Sequence, residues 1–133
     1  MWLRIEPRLP KPVYQQVVDG IKESIAKGVL DQGDKLPSVR DLAAMMTLNP
    51  NTVAKAYREL EHERVIEVFR GRGTFVASPA EVPDRNERIE KMSDTMKQLL
   101  IEAHHLQMTE ADVWQLMQQV MNEWNTPSGG AKA

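Results

Sequence analysis

Residues 36–60, LPSVRDLAAMMTLNPNTVAKAYREL, constrain the fold of this chain more than any other stretch. Ser38 precedes an apolar-periodic run, and Asp41 follows three residues later. A Ser side chain accepts from the unpaired N–H groups of a first helical turn, and a carboxylate nearby favours that positive end. Leu42, Ala43 and Met46 then recur at the spacing of one helix face. Thr47-Leu48 breaks the pattern. Asn49-Pro50 restarts it, with Asn as N-cap and Pro in the first turn, where its missing N–H costs nothing. Val53, Ala56, Tyr57 and Leu60 give the second helix an apolar face. Asn51, Thr52, Lys55 and Arg58 project elsewhere, and all four can bond to nucleic acid. Two short helices, a tight turn and a polar leading edge on the second predict a helix-turn-helix.

The flanking sequence extends this unit. Trp2-Leu3-Arg4-Ile5 alternates like a short strand, and Pro7, Pro10 and Pro12 then keep the chain extended. Over about residues 12–27, Val13, Val17, Ile21 and Ile25 recur every four residues, joined by Tyr14 and Val18. That spacing predicts a helix, which Gly28 would close. Residues 30–34 read as a turn. Downstream, Val65–Phe69 and Thr74–Ala77 are β-rich runs around Arg70-Gly71-Arg72-Gly73. This predicts a hairpin whose arginines can follow a phosphate backbone or enter a narrow minor groove. A helix-turn-helix followed by a basic hairpin is a winged helix.

Net charge is −2, an odd value for a nucleic-acid binder. Residues 1–78 hold 12 Lys+Arg against 10 Asp+Glu, and residues 79–133 hold 5 against 9. The first part is mildly basic, so binding must depend on which face its cations share. The acidic second part should face away from phosphate.

Residues 79–84 read as a Pro-containing linker, and Asp84 as the cap of a long helix over about residues 85–107. Its apolar positions are Ile89, Met92, Met96, Leu99, Leu100, Ala103 and Leu106, a helical stripe. Thr109-Glu110-Ala111-Asp112 looks like another N-terminal cap. The helix it opens carries Val113, Leu116, Met117, Val120, Met121 and Trp124 on one face, ending near Asn125. Residues 126–133 read as disordered. Two stripes on about 40 residues bury too little by themselves to offset chain entropy. The stripes could pack back on residues 1–78. The better expectation is the same pair of helices from a second chain, making an isologous homodimer. The expected fold is therefore mainly α with a small β-hairpin wing. A winged helix-turn-helix domain at 1–78 is joined to a two-helix C-terminal dimerisation hairpin at 85–125.

The ordered set of motifs resembles one known family. It comprises Pro12-x-Tyr14-x-Gln16, Gly28-x-Leu30 and Gly33-Asp34-x-Leu36-Pro37-Ser38-x-Arg40-x-Leu42-Ala43. Asn49-Pro50-Asn51-Thr52-Val53-x-x-Ala56-Tyr57 and Gly71-x-Gly73-Thr74-Phe75-Val76 complete it. Together they resemble the DNA-binding domain of the GntR family of bacterial transcription regulators, over roughly residues 10–78. The short two-helix tail is similar to the YtrA-like branch, which has too little C-terminal chain for a large effector domain. The resemblance implies a dimeric repressor of a palindromic double-stranded DNA operator. In that branch the regulated genes often encode an adjacent ABC transporter. Carried over by position, Arg40 would open the first central helix and reach a base edge or phosphate. Asn49, Asn51 and Thr52 would sit at the tip of the recognition helix, with Lys55 and Arg58 one turn on, toward phosphate. Arg70, Gly71 and Arg72 would form the wing tip. One departure is Arg64, where the family usually has Gly to close the recognition helix. Some other helix ending, shifted by a residue, is expected there.

Each of these residues also has a plainer reading. Asn49 could serve only as a cap, Arg40 could pair with Asp41 or Glu59, and Arg58 could lie on a solvated face. Tyr57 reads as core. Adjacent His104-His105 point about 100° apart on a helix and suit one metal ion poorly. The methionines at 92, 96, 117 and 121 read as an adaptable interface rather than a drug- or metal-sensing surface. Cysteine is absent, no Walker-type loop occurs and no carboxylate pair is framed for catalysis, so no enzyme and no cofactor are expected. A protein-binding winged helix is the alternative, and the polar tip with the basic wing suits phosphate better. No apolar run approaches the ~20 residues of a membrane span, and the opening residues are not a signal peptide. The expected location is cytoplasmic. A small-molecule effector could act by changing the angle between two DNA-binding domains.

Overall fold

The computed structural model describes residues 2–78 and 82–126. Residues 79–81 of the expected linker, and the expected disordered tail from residue 127, lie outside the described residues. The chain divides into two compact units that part at residues 83–84.

The first unit runs α1 (Val13–Ala26), β1 (Lys35–Leu36), α2 (Val39–Met46), α3 (Pro50–His62), β2 (Ile66–Phe69) and β3 (Gly73–Val76). Helix α3 is its centre, packing on both α1 and α2. Val17, Val18 and Ile21 from α1, Leu42 from α2, Val53 and Leu60 from α3 and Ile66 from β2 are the largest fully buried side chains. The three strands are antiparallel in the order β1-β3-β2, with Lys35 opposite Phe75 and Phe69 opposite Gly73. Strand β1 is absent from the sequence-based expectation because two residues cannot show a period.

The expected strand at Trp2–Ile5 does not form. The segment instead lies along α1, with Leu3 only 2% exposed. A Cβ at Gly20 would collide with Leu3 Cδ1, so Gly20 allows the close approach. Two buried polar residues of α1 bond to the backbone of this segment and of the residues that follow it. Gln16 accepts from the Glu6 N–H at 2.7 Å and donates to the Glu6 and Lys11 carbonyls at 2.9 Å each. Ser24 donates to the Trp2 carbonyl.

The caps of the central helices are formed as the sequence predicts. Ser38 Oγ accepts from the Asp41 N–H at 3.1 Å, and Asn49 Oδ1 accepts from the Asn51 N–H at 2.8 Å. Thr47 ends α2 in the left-handed conformation, at φ 55°. Arg64 ends α3 the same way, at φ 61°, while the Val65 N–H reaches back to the Leu60 carbonyl at 2.9 Å. The helix therefore closes as it would with glycine, and no shifted ending is needed. The strain of a side chain in that conformation is about 1–2 kcal/mol, and β2 still starts two residues later.

The second unit holds α4 (Arg85–His105) and α5 (Glu110–Asn125). Asp84 stands before α4 with φ 53° and makes no side-chain cap bond, contrary to expectation. Thr109 does cap α5. Its Oγ1 accepts from the Asp112 N–H at 3.1 Å, and the Asp112 carboxylate accepts from the Thr109 N–H at 2.8 Å. That N–H holds the Asp112 carboxyl below the usual carboxylate range. Gln107, at φ 60°, turns the chain between the helices. The two helices do not pack along their lengths, so neither stripe covers the other.

Tyr57 shows how α3 is fixed within the first unit. Its side chain is buried, which pushes the phenol above its ordinary range, and its hydroxyl donates to the Pro37 carbonyl at 2.7 Å. Tyr57→Phe removes the donor and leaves that carbonyl without it. The expected loss is about 1–3 kcal/mol of stability, read as a lower urea midpoint at unchanged m-value.

Candidate nucleic-acid interface

The outward face of α3 follows from its buried one. With Val53, Ala56, Tyr57 and Leu60 facing the core, Asn51, Lys55, Arg58 and His62 fall at steps of four, three and four on the opposite side. All four are exposed. No carboxylate lies in this row, since Glu59, Glu61 and Glu63 sit to its flanks. Asn49 and Pro50 are exposed at the leading end, and Thr52 is half-buried in the first turn. Asn49 is a cap by its oxygen, which leaves its amide NH₂ able to donate outward.

Arg40 lies in the first turn of α2 and is exposed. Among the described residues it pairs with neither Asp41 nor Glu59. The same holds for Lys55, Arg58, Arg70 and Arg72, none of which forms an ion pair there. Three lysines elsewhere in the first unit do pair. Lys11 binds Asp19 at 2.7 Å, Lys22 binds Glu63 at 3.0 Å and Lys27 binds Glu23 at 3.1 Å. The cations of α2, α3 and the wing are thus left available to an outside anion.

The wing loop is three residues long, because Phe69 pairs with Gly73 and leaves Arg70, Gly71 and Arg72 between the strands. Gly71 takes φ 79°, which a side chain would resist, and the Arg72 N–H closes the turn on the Phe69 carbonyl at 3.0 Å. The Phe69 and Phe75 rings meet at 5.8 Å, tilted by 59°, and brace the strands beneath the loop. All three loop residues are exposed.

Two residues outside the sequence-based set join this surface. Lys35 on β1 runs across Gly73, so closely that a Cβ there would come within 2.9 Å of Lys35 Cε. That places a third cation beside the wing. Tyr14, in the first turn of α1, lies under Lys55, whose Nζ is 3.8 Å from the ring centroid. The sequence carries no local sign of either contact, since both join residues about 40 positions apart.

The stripe residues of the second unit are also placed. Met92, Met96, Leu99, Leu100 and Leu106 of α4 and its turn are exposed, as are Leu116, Met117, Val120, Met121 and Trp124 of α5. Val113 is half-buried. The His104 and His105 rings meet edge to face. Among the described residues, no group of three His, Cys, Asp or Glu side chains could hold a metal ion. No helix among them is long and apolar enough to cross a membrane.

Comparison with known proteins agrees with this geometry. The family model for bacterial regulatory proteins, gntR family, matches residues 13–76. The HTH-type transcriptional repressor YtrA of Bacillus subtilis (strain 168) is 45% identical over 103 residues, covering 77% of this chain and 79% of YtrA. A solved structure of a transcriptional antiterminator from Listeria monocytogenes EGD-e superposes with TM-score 0.85 at 30% identity, over 96% of both chains. The DNA-binding domain of AraR, solved in complex with operator ORX1, aligns with TM-score 0.52 at 27% identity. It covers 58% of this chain and 99% of that one.

The capping role of Asn49 can be separated from any outside contact. Asn49→Ala should lose about 1 kcal/mol of stability and Asn49→Ser almost none, because serine is also a good cap. Thermal unfolding of the two variants checks this.

Proposed function

The chain belongs to the GntR family of bacterial regulatory proteins, whose homologues are transcriptional regulators and not enzymes, and on that premise we propose that it is a homodimeric repressor of a palindromic operator. The observation that carries the proposal is the carboxylate-free row Asn51–Lys55–Arg58, flanked by unpaired cations at Arg40, Arg70 and Arg72. A helix fits the major groove, where Asn can bond adenine bidentately and Arg can bond guanine. Asn51 and Thr52, at the leading end of α3, are assigned to base edges or the adjoining phosphates. Lys55 and Arg58 are assigned to phosphate, and the wing loop Arg70-Gly71-Arg72 to the minor groove. Arg40 is assigned to a base edge at the start of α2, with Asn49 donating from its free amide.

Residues 1–78 serve as the DNA-binding domain and 85–125 as the dimerisation region, joined by the linker at 79–84. The exposed stripes of α4 and α5 support this division. Ten large apolar side chains at the proposed contact positions are solvent-exposed in a single chain, which a stable soluble chain does not tolerate over so large a patch. A second copy covers them by self-complementarity. Its two recognition helices would then meet half-sites about 34 Å apart, or a multiple of that. The branch resemblance extends the proposal to an operator beside the chain's own gene, shared with an ABC transporter operon. A footprint on the DNA upstream of that gene tests it, and an unprotected region there would overturn the autoregulated operator.

Arg40→Ala should weaken operator binding by about 1–3 kcal/mol if the guanidinium bonds a guanine bidentately. A titration at fixed salt reads this, and unchanged affinity removes the assignment. Leu99→Glu places a charge within the α4 stripe. It should yield monomers in sedimentation together with poor operator binding, whereas an intact dimer would move the interface elsewhere.

A further inference from the structure

We infer that Tyr14 is a positioning residue for DNA binding: its ring holds the Lys55 ammonium away from Glu59, so that the cation remains available to a phosphate. The inference rests on the DNA-binding reading above. Lys55 and Glu59 are spaced i, i+4 on α3, where opposite charges ordinarily attract. Glu59 is also receptive, because its Oε2 is buried and has no hydrogen-bond partner among the described residues. Yet Lys55 makes no ion pair with it. The Lys55 Nζ lies instead over the Tyr14 ring, 3.8 Å from the centroid. A lysine over an aromatic face and a lysine in an i, i+4 pair gain similar amounts, so the placement of the ring decides between them.

That placement is set by the core. Tyr14 faces Lys55, and eight residues further along both helices Lys22 faces Glu63 at 3.0 Å. Helices α1 and α3 therefore run side by side in one direction, in a register fixed by buried Val17, Val18, Val53 and Leu60. Tyr14 is itself packed against that core. A ring so anchored restricts a long side chain that would otherwise lose much of its rotamer freedom on meeting a phosphate. Without the ring, Lys55 is free to fold back onto Glu59, and the one lysine in the exposed row of α3 is neutralised.

The test is a set of variants titrated with an arbitrary duplex of about three helical turns, since phosphate contacts do not depend on sequence. Near 0.1 M salt, Lys55→Ala should bind about eightfold more weakly per lost contact, and the slope of log K against log salt should flatten by about 0.9. Tyr14→Leu should lose about two- to fivefold, Tyr14→Phe should bind like the native chain, and Glu59→Gln should restore most of the binding lost in Tyr14→Leu. Tyr14→Leu should change nothing further when Lys55 is already alanine. In the free protein, the Lys55 ε-methylene protons should be ring-shielded in the native chain and in Tyr14→Phe, but not in Tyr14→Leu. Tyr14→Met replaces the leucine variant if the latter fails to fold. The inference is overturned if the Tyr14→Leu loss persists in the Lys55→Ala background, if Tyr14→Phe shares it, if Glu59→Gln gives no rescue, or if the ring shift is missing. A native chain that binds no duplex at all overturns the DNA-binding reading, a result distinct from each of these.

Discussion

Four side chains on one face of α3, Val53, Ala56, Tyr57 and Leu60, are buried against the rest of the first unit. The opposite face has no freedom of its own. On a helix, once one stripe is buried, the residues half a turn away must point to solvent. Asn51, Lys55 and Arg58 are exposed because the core holds the helix by its other side. The Tyr57 hydroxyl adds a polar anchor at Pro37, the residue that leads into α2. Position and tilt of the outward row are thus set by apolar packing and one buried hydrogen bond, not by any interaction among the outward residues themselves. A surface fixed in this way pays little ordering entropy when a ligand arrives.

The electrostatics work by arrangement rather than by total. A surplus of two positive charges over residues 1–78 would attract DNA weakly if it were spread evenly. Instead Lys11, Lys22 and Lys27, in and beside α1, are engaged with carboxylates at Asp19, Glu63 and Glu23. Those carboxylates cancel charge away from the outward row. The cations of α2, α3 and the wing stay unpaired, and Lys35 adds one more beside the wing loop. Nearly neutral composition therefore coexists with unpaired cations on α2, α3 and the wing, which net charge alone conceals.

Much of this was legible in the sequence because local rules govern it. Ser38, Asn49 and Thr109 cap helices through bonds that span two or three residues, so spacing alone reveals them. The α3 face and the hairpin loop follow from periods of 3.6 and 2. The misses share another cause. The segment from Trp2 to Glu6 lies against α1 rather than in a sheet because Ser24 takes up the Trp2 carbonyl and Gln16 both backbone groups of Glu6, ten or more positions away. Strand β1 exists only through its pairing with β3. Asp84 is the right residue type for a cap, but its backbone at φ 53° does not bring the carboxylate to the open N–H groups. Arg64 shows the reverse case, where glycine is the expected residue and the tertiary fold imposes the same conformation on arginine. Tyr14 and Lys35 escape a linear reading because their partners are distant in sequence.

The second unit raises a question that the first does not, since its apolar residues are exposed although its helices are regular. Helices α4 and α5 are well formed at their joint, where the Thr109–Asp112 capping box and Gln107 fix the turn. They gain nothing from one another along their lengths, because their stripes do not meet. Helices in proteins draw most of their stability from packing of an amphipathic face, so the order of α4 and α5 calls for burial against something. Under the proposed dimer the same association meets a need of the first unit. One outward row offers only a few phosphate contacts, and each contact contributes a modest, salt-sensitive increment. Joining two copies makes the second half-site contact intramolecular, which raises overall affinity without any new side chain. The exposed stripes and the sparse basic face would then be two parts of one solution: burial that a single chain lacks, exchanged for binding that a single domain lacks.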